Sequence, residues 1–210
     1  MSNSASKNSI LKKIRMALVH PTPLPFPKSE DAEPVFPPSS QDLMVEFAEQ
    51  FTQLQGKFIF CTDEVELLQN FNKLCYQNQW TKIFCNEERW KGLIPSNSLY
   101  ADIESCDVSV TSCESLIART GSIVLSSLLQ GRIPSVYAPV HVCVAYTSQL
   151  VYDVKDGLVK LKENYGDDLP SLISFATGPS RTADIEKTLV VGVHGPKEVY
   201  CFVVDDANNF

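Results

Sequence analysis

Short apolar runs alternate with helical patterns in the first half of this chain, and this alternation limits the fold more than any other feature. Residues 41–55 repeat apolar side chains at helical spacing, and the run KFIFC at 57–61 follows as a predicted strand. Asp63 is typical of a helix N-cap and opens a predicted helix that ends near Gln79. A second short strand is predicted at 82–85. Strands that alternate with helices indicate an α/β fold with a mostly parallel sheet.

The second half of the chain is richer in strand patterns. Strands are predicted at 107–111, 122–126, 141–146, 172–175, 189–193 and 199–204. One helix is predicted at 154–164, and residues 113–118 are predicted to form one or two helical turns. Because the last three strands follow one another closely, we expect an antiparallel element on the main sheet.

The N-terminal residues differ in composition from the rest. Residues 7–19 place apolar side chains on one helical face, and residues 20–38 hold seven of the thirteen prolines. Proline favours extended backbone without paired strands. We therefore predict an N-terminal helix and proline-rich linker at 1–40 and an α/β domain at 41–210. The helix is expected to pack as an arm on that domain or on a partner subunit.

Charge and motif content exclude several classes of function. The formal net charge of −7 argues against a nucleic-acid-binding protein, because phosphate neutralisation needs clustered Lys and Arg. The chain contains no GxSxG, HExxH, Walker or GxGxxG motif. The common hydrolase, metalloprotease, nucleotide-hydrolase and dinucleotide-binding patterns are therefore missing.

The seven cysteines indicate core packing in a reducing compartment. No two of them form a CxxC pair, and no Cys and His pair has the spacing of a zinc site. The closely spaced cysteines that an iron–sulfur cluster needs are also missing. We therefore expect no metal site and no cluster bound by this chain. No segment has the apolar length of a signal peptide or a membrane span. We expect a cytoplasmic location without membrane insertion.

The densest special chemistry lies in Phe175–Pro196. Gly178, Ser180, Arg181 and Thr182 form one turn region there, and hydroxyl, guanidinium and free backbone donors of this kind suit a bound anion. The residues equally allow a capped strand-to-helix turn, in which Arg181 pairs with Asp184 or Glu186. His194, in a second turn with Gly195 and Pro196, is either an acid–base group or a structural partner of the first turn.

A second candidate region runs from Glu114 to Ser122. Glu114 is a candidate nucleophile or base, or the cap of a short helix. Arg119 pairs either with Glu114 or with a ligand, and Thr120, Gly121 and Ser122 form a tight turn before a strand. His141 begins an apolar strand and is a core-edge histidine or a site residue. The candidate catalytic residues are Glu114, Asp184 and His194.

Three segments of the chain resemble a known family. The segments are ARTGSIVLSS at 118–127, APVHVCVAY at 138–146 and TGPSRTADIEKTLVVGVHGP at 177–196. In this order they resemble the LUD-domain lactate-utilisation family, and the overall layout is similar to its LutC/YkgG-like single-domain members. The resemblance is dense over residues 108–204 and thin before them.

The resemblance implies a fold and a pathway. The fold would be a three-layer α/β/α arrangement of the NagB/RpiA/CoA-transferase-like group, with the N-terminal helix as an added arm. The function would be that of a cluster-free component in the oxidation of L-lactate to pyruvate, with iron–sulfur clusters bound by two partner subunits. Relatives of that fold bind sugar phosphates, folates or CoA esters at loops beyond strand ends.

By position in the resemblance, the two turn regions become candidate anion-binding loops. The predicted ligand set is Arg119, Thr120, Gly121, Ser122, His141, Gly178, Ser180, Arg181, Thr182 and His194, with His141 and His194 at the rim. We expect these loops to converge in space.

Three hypotheses follow. In the first, the chain is a non-redox subunit that binds a small carboxylate or docks its partners. In the second, it is a stand-alone enzyme for a small phosphorylated or acyl-CoA substrate, by analogy of fold. In the third, the turns are architectural. The residues leave open which subunit is catalytic and whether the chain forms a homo-oligomer.

Overall fold

A computed structural model describes residues 3–19, 36–182 and 190–206. The chain separates into two units, Met1–Pro38 and Ser39–Phe210. In the first unit, the predicted helix is present as α1 (Asn3–Val19), which begins at the first described residue, before the predicted start at 7. The predicted linker lies largely outside the described residues, and the packing of the arm stays a prediction.

The helices and strands of the second unit follow in chain order. The helices are α2 (Leu43–Gln53), α3 (Glu64–Asn78), α4 (Glu88–Lys91), α5 (Pro134–Tyr137) and α6 (Val154–Tyr165). The strands up to the middle of the chain are β1 (Lys57–Cys61), β2 (Ile83–Phe84), β3 (Leu99–Tyr100), β4 (Val108–Thr111), β5 (Ser115–Ile117) and β6 (Ser122–Ser126). The remaining strands are β7 (Val140–Tyr146), β8 (Leu150–Val151), β9 (Ile173–Ala176), β10 (Arg181–Thr182), β11 (Val190–Val191) and β12 (Glu198–Val204).

A six-stranded sheet forms the centre, in the order β1-β12-β7-β4-β2-β3. Every described pairing within it is parallel. The two longest strands, β7 and β12, lie side by side and are almost wholly buried. Continuous apolar runs of this kind are expected where both faces of a parallel sheet are covered.

Each face of the sheet has its own hydrophobic core. Alternate residues of β12 face opposite ways, so that Phe202 packs with Phe71 of α3 in one core, and Cys201 packs with Phe51 of α2 in the other. The flanking helices therefore confirm the predicted α/β fold with helical layers on a mostly parallel sheet. The N-cap of α3 is Asp63, as predicted, and its carboxylate accepts a hydrogen bond from the backbone N–H of Glu66 at 2.7 Å.

A second sheet, which sequence patterns did not predict, lies beside α2. Its order is β8-β5-β6-β9, with antiparallel pairing of β5 to β6 and of β6 to β9. Leu116 and Ile123 of this sheet share a core with Phe47 of α2, and Leu161 of α6 packs on the other side. The second sheet thus lies between the central sheet and α6.

Two predicted elements are wrong. Residues 113–118 were expected to be helical, but Ser115–Ile117 form β5, because a short apolar run fits a buried strand as well as a helical turn. The expected antiparallel element on the main sheet is also wrong. Strand β9 belongs to the second sheet, β11 pairs with β10 in a separate ribbon, and β12 lies parallel inside the main sheet.

Candidate functional site

A polar cleft of ≈ 550 Å³ lies at the carboxyl edge of the central sheet. Ser112 follows the end of β4, Ser148 follows β7 and Asp206 follows β12, and all three line this cleft. Open parallel sheets bind ligands at this edge, because the loops that leave the strands converge there. The cleft is therefore the first candidate for a ligand site.

Glu114 lines the cleft and is held from two sides. Its Oε1 accepts a hydrogen bond from Tyr165 of α6 at 2.8 Å and another from Ser126 of β6. Its backbone N–H donates to the carbonyl oxygen of Val124 at 2.8 Å. The residue is 8% exposed. The alternative that Glu114 caps a short helix is wrong, because the residue directly precedes strand β5. Its carboxylate is held in a fixed position by these hydrogen bonds.

The opposite wall is an aromatic and charged stack. Arg89 donates to the Tyr146 hydroxyl at 2.6 Å, and that hydroxyl donates to Glu64 at 2.6 Å. The Arg89 guanidinium also lies 4.6 Å from the centre of the Tyr146 ring and 4.9 Å from that of Trp90. Burial and the hydrogen bond to Glu64 raise the pKa of Tyr146 to about 12. Tyr146 therefore stays protonated and acts as a donor.

Trp90 adds a donor with no described acceptor. Its ring is 4% exposed and lines the cleft, and its buried Nε1 has no hydrogen-bond partner among the described residues. An unpaired buried N–H costs about 1–3 kcal/mol. Because Nε1 is closed to solvent, this donor is not available to a ligand in the cleft.

Lys160 supplies a second positive charge. Its Nζ donates to the carbonyl oxygen of Ser148 at 2.8 Å, and it forms no salt bridge within the described part of the chain. Asp206 is occupied by the hydroxyls of Thr147 and Ser148, both at 2.6 Å. Burial opposes ionisation of Asp206, but hydrogen bonds from Ser148 and Thr147 outweigh it and lower its pKa. Lys160 thus keeps two ammonium donors for a ligand.

Glu87 joins the two walls of the cleft. It precedes α4, which carries Arg89 and Trp90, and its carboxylate accepts hydrogen bonds from both the N–H, at 2.8 Å, and the hydroxyl of Ser112. Burial raises the pKa of Glu87, although these hydrogen bonds oppose the shift. The contact fixes α4 against the loop that carries Glu114.

The cleft combines donors and acceptors in one place. Arg89 and Lys160 suit a carboxylate or phosphate, whereas Glu114 and Glu64 suit hydroxyl or amide donors. The carboxylates of Glu64 and Glu114 would repel a purely anionic ligand, and the basic side chains of Arg89 and Lys160 would repel a purely cationic one. The arrangement fits a small ligand that carries both an anionic group and a hydrogen-bond donor.

The two predicted turn regions do converge, but at the other edge of the sheet. The Ser122 hydroxyl lies 2.7 Å from that of Thr120 and 2.8 Å from that of Thr177, which precedes Gly178. Both turns close around the end of α2, just before β1 begins at the amino edge. The predicted loops are therefore separate from the cleft.

Close backbone approach explains the two glycines of these turns. A Cβ on Gly121 would lie 2.5 Å from the backbone nitrogen of Phe51, and one on Gly178 would lie 2.5 Å from the carbonyl oxygen of Leu54. Both glycines have positive φ, at +59° and +92°. Arg181 donates to the same Leu54 carbonyl. The C-terminus of a helix carries partial negative charge, so this contact favours Arg181 and disfavours an anion beside it.

The second turn packs on the first through backbone hydrogen bonds. The N–H of Ser180 donates to the carbonyl oxygen of Pro196 at 2.9 Å, and the N–H of Gly192 donates to that of Ser180 at 2.9 Å. His194 is exposed at this position. Arg181 and Thr182 form β10. The helical turn of the alternative interpretation would begin after them, and it lies with Asp184 and Glu186 outside the described residues.

His141 lies inside the protein. Its side chain is 0% exposed, and Nε2 lies 2.7 Å from the Thr111 hydroxyl. Burial lowers the pKa of His141 to about 4. The prediction that it lies at the rim of a site is wrong, because β7 runs through the middle of the sheet. Arg119 forms a salt bridge with Asp153 at 2.7 Å and is not paired with Glu114. Ligand binding by the predicted residues stays a prediction.

The described residues contain no group of side chains that could bind a metal ion. Within residues 3–19, 36–182 and 190–206, no group of three or more His, Cys, Asp or Glu side chains could hold a metal ion. All seven cysteines are buried and free of disulfide bonds. In the same ranges, no helix has both the length and the apolar character that crossing a membrane requires.

Most residues of the cleft were missed by sequence reasoning. Of the predicted residues that the structure describes, Glu114 alone lines the cleft. Arg89, Tyr146 and Lys160 come from separate segments without a motif. A signal was present: three predicted strands are each followed directly by hydroxyl or acidic residues, at 112, 147–148 and 205–206. In a parallel sheet these positions share one edge.

The fold and the cleft define an α/β protein with a polar site at the carboxyl edge of its sheet. The chain belongs to the LUD domain family, whose model matches residues 86–204. A crystal structure of a DUF162 family protein from Deinococcus radiodurans has the same fold, with a TM-score of 0.57 and 20% sequence identity over 80% of this chain and 99% of that one.

Relatives of similar sequence are lactate utilization proteins. "Lactate utilization protein C" of Bacillus licheniformis is 39% identical over 106 residues, which cover 49% of this chain and 44% of the relative. "Lactate utilization protein C 1" of Bacillus mycoides is 31% identical over 135 residues, which cover 63% of this chain and 56% of the relative. The chain spans about half the length of the curated relatives it matches.

Proposed function

We propose that this chain is the cluster-free component of an L-lactate utilisation system and that it binds a small hydroxy acid or related anion in the carboxyl-edge cleft. Membership of the LUD domain family and the names of the relatives support the pathway. The main support for this ligand site is the charge of Lys160. Its side chain is half-buried in the cleft and forms no salt bridge among the described residues.

Two donors support binding of a carboxylate. Lys160 has two unused ammonium donors, and Arg89 presents an exposed guanidinium. Arg89 is held in place by Tyr146, which is held in turn by Glu64. This preorganisation reduces the entropy lost when a ligand is bound.

Electron transfer is assigned to partners in this proposal. Oxidation of lactate to pyruvate removes two electrons, and we propose that iron–sulfur clusters in two partner subunits accept them. The seven buried cysteines of this chain are core residues, and none of them lies near an arrangement of ligands suited to a cluster in the described structure. The role of this chain is then to hold the substrate or product.

Docking of these partners is proposed for α1. The helix exposes Ile10, Leu11, Ile14 and Leu18 on one face. It also carries four basic residues and no acidic ones, in a chain of net charge −7. A helix of this kind suits an acidic partner with an apolar groove.

Reconstitution tests the proposal. Lactate oxidation is measured with the two iron–sulfur partners, with and without this chain, by reduction of an artificial electron acceptor. The proposal predicts oxidation only when all three proteins are present. Full activity of the two partners alone would reject it.

The size of the cleft favours a second candidate. A volume of ≈ 550 Å³ exceeds the needs of a three-carbon acid and falls in the range of larger ligands. The alternative is a stand-alone enzyme for a small phosphorylated or acyl-CoA substrate, with Glu114 as base or nucleophile. Turnover of a sugar phosphate or a CoA ester by the isolated chain would support this alternative.

A further inference from the structure

We infer that Glu114 makes the cleft select a hydroxy acid over the corresponding keto acid. This inference rests on the proposed function, because it assigns a specificity-determining residue to the same site. It concerns binding alone and requires no redox step by this chain.

The orientation of Glu114 is fixed before a ligand arrives. Its backbone is tied to β6 through Val124, and its side chain is tied to Ser126 and Tyr165. These contacts come from the second sheet and from α6, so that neither the loop nor the rotamer is free to turn away.

Both described hydrogen bonds reach the same oxygen atom. Ser126 and Tyr165 each donate to Oε1, and Oε2 receives no hydrogen bond from a described residue. An ionised carboxylate accepts hydrogen bonds and cannot donate them. A ligand hydroxyl can therefore bind Oε2, whereas a keto oxygen would place two acceptors against each other.

Lys160 provides the other end of the site. It projects from α6, which also carries Tyr165, and it lines the same cleft as Glu114. Lys160 and Glu114 do not pair directly in the described structure. In the same cleft, Lys160 therefore offers a cation to a ligand carboxylate, and Glu114 offers an acceptor to a ligand hydroxyl.

Calorimetric titration of the full chain tests this inference. L-lactate, pyruvate and propionate are compared, because propionate keeps the carboxylate and lacks the α-oxygen. Native protein is expected to bind lactate about tenfold or more tightly than either analogue, as expected for a hydrogen bond to a charged acceptor. Glu114→Gln replaces an acceptor oxygen with an amide donor, and the preference for lactate over pyruvate should disappear or reverse.

Matched variants make the result specific. Glu163→Gln changes an exposed carboxylate on α6 and should leave the preference intact. Tyr165→Phe removes one of the two donors that hold Glu114, and should reduce the preference even if Glu114→Gln fails to fold. Equal binding of all three acids by native protein, or an unchanged preference in folded Glu114→Gln, would overturn the inference alone. Binding of none of the acids would instead reject the proposed ligand site as a whole.

Discussion

The hydroxyls of Ser122 and Thr177 lie 2.8 Å apart, and this contact joins the two most distinctive turns of the chain. One turn precedes β6 and the other follows β9, and both pack on the end of α2. The polar cleft lies at the ends of β4, β7 and β12, on the opposite edge of the central sheet. The segment with the most unusual sequence, residues 175–196, therefore contributes to a contact between two turns and the end of α2. The cleft is formed by residues without a recognisable motif.

Replacing Arg181 with Ala tests whether the contact between these turns and α2 stabilises the fold. Arg181 is exposed and donates to the last turn of α2 at the Leu54 carbonyl. Loss of this hydrogen bond to a charged donor should lower the free energy of unfolding by about 1–2 kcal/mol. Urea denaturation measures the change.

The same variant should leave ligand binding in the cleft unchanged. Arg132→Ala is a suitable control, because Arg132 is also exposed and donates to a surface hydroxyl, that of Ser171. It should change stability by less than about 0.5 kcal/mol. Unaltered stability of Arg181→Ala together with lost lactate oxidation would show instead that Arg181 is a site residue.

Gly121→Ala tests the close approach of the first turn to α2. The new Cβ would meet the backbone of Phe51 at 2.5 Å, and the position has a φ of +59°. We expect a loss of about 3 kcal/mol or more, because backbone and not a flexible side chain is in the way. Gly92→Ala is the matched control. Gly92 has a right-handed helical conformation with no atom within 4 Å of a Cβ at its position. Thermal unfolding should therefore show a neutral or stabilising effect of less than about 1 kcal/mol.

The burial of His141 should make the stability of the protein depend on pH. Burial lowers its pKa from 6.5 to about 4, so the unfolded chain binds a proton below pH 6.5 and the folded chain does not. The free energy of unfolding should therefore fall as the pH drops from 6.5 towards 4, by about 3 kcal/mol in total. Urea denaturation at a series of pH values measures this slope.

Two variants isolate the histidine from the carboxylates that titrate over the same range. His141→Gln removes the titrating group, and its stability should fall less steeply with decreasing pH than that of the native protein. His194→Ala removes an exposed histidine and should keep the native slope. A slope in His141→Gln as steep as in the native protein would contradict the assignment.

Elements with strong local signals could be predicted from sequence. Asp63 marked the start of α3, and the apolar runs at 57–61 and 122–126 became β1 and β6 with unchanged bounds. The placement of strands in sheets was harder, since β6 and β12 have similar patterns but belong to different sheets. Which strand pairs with which depends on long-range packing against α2 and α6, and local patterns do not carry that information.

The candidate site was predictable only in part. Glu114 stood out because it lies beside a turn rich in hydroxyl groups, yet its partner Tyr165 is 51 residues away in the chain. Arg89 and Tyr146 meet across 57 residues. Such contacts follow from the order of strands in the sheet, which had to be known first.

Titration of L-lactate into native, Lys160→Ala and Arg181→Ala proteins, followed by calorimetry, tests the central claim most directly. The claim is that the carboxyl-edge cleft, and not the turns at the amino edge, binds the ligand. It predicts that Lys160→Ala loses most of the affinity while Arg181→Ala binds as the native protein does. Retained affinity in Lys160→Ala with lost affinity in a folded Arg181→Ala would contradict it.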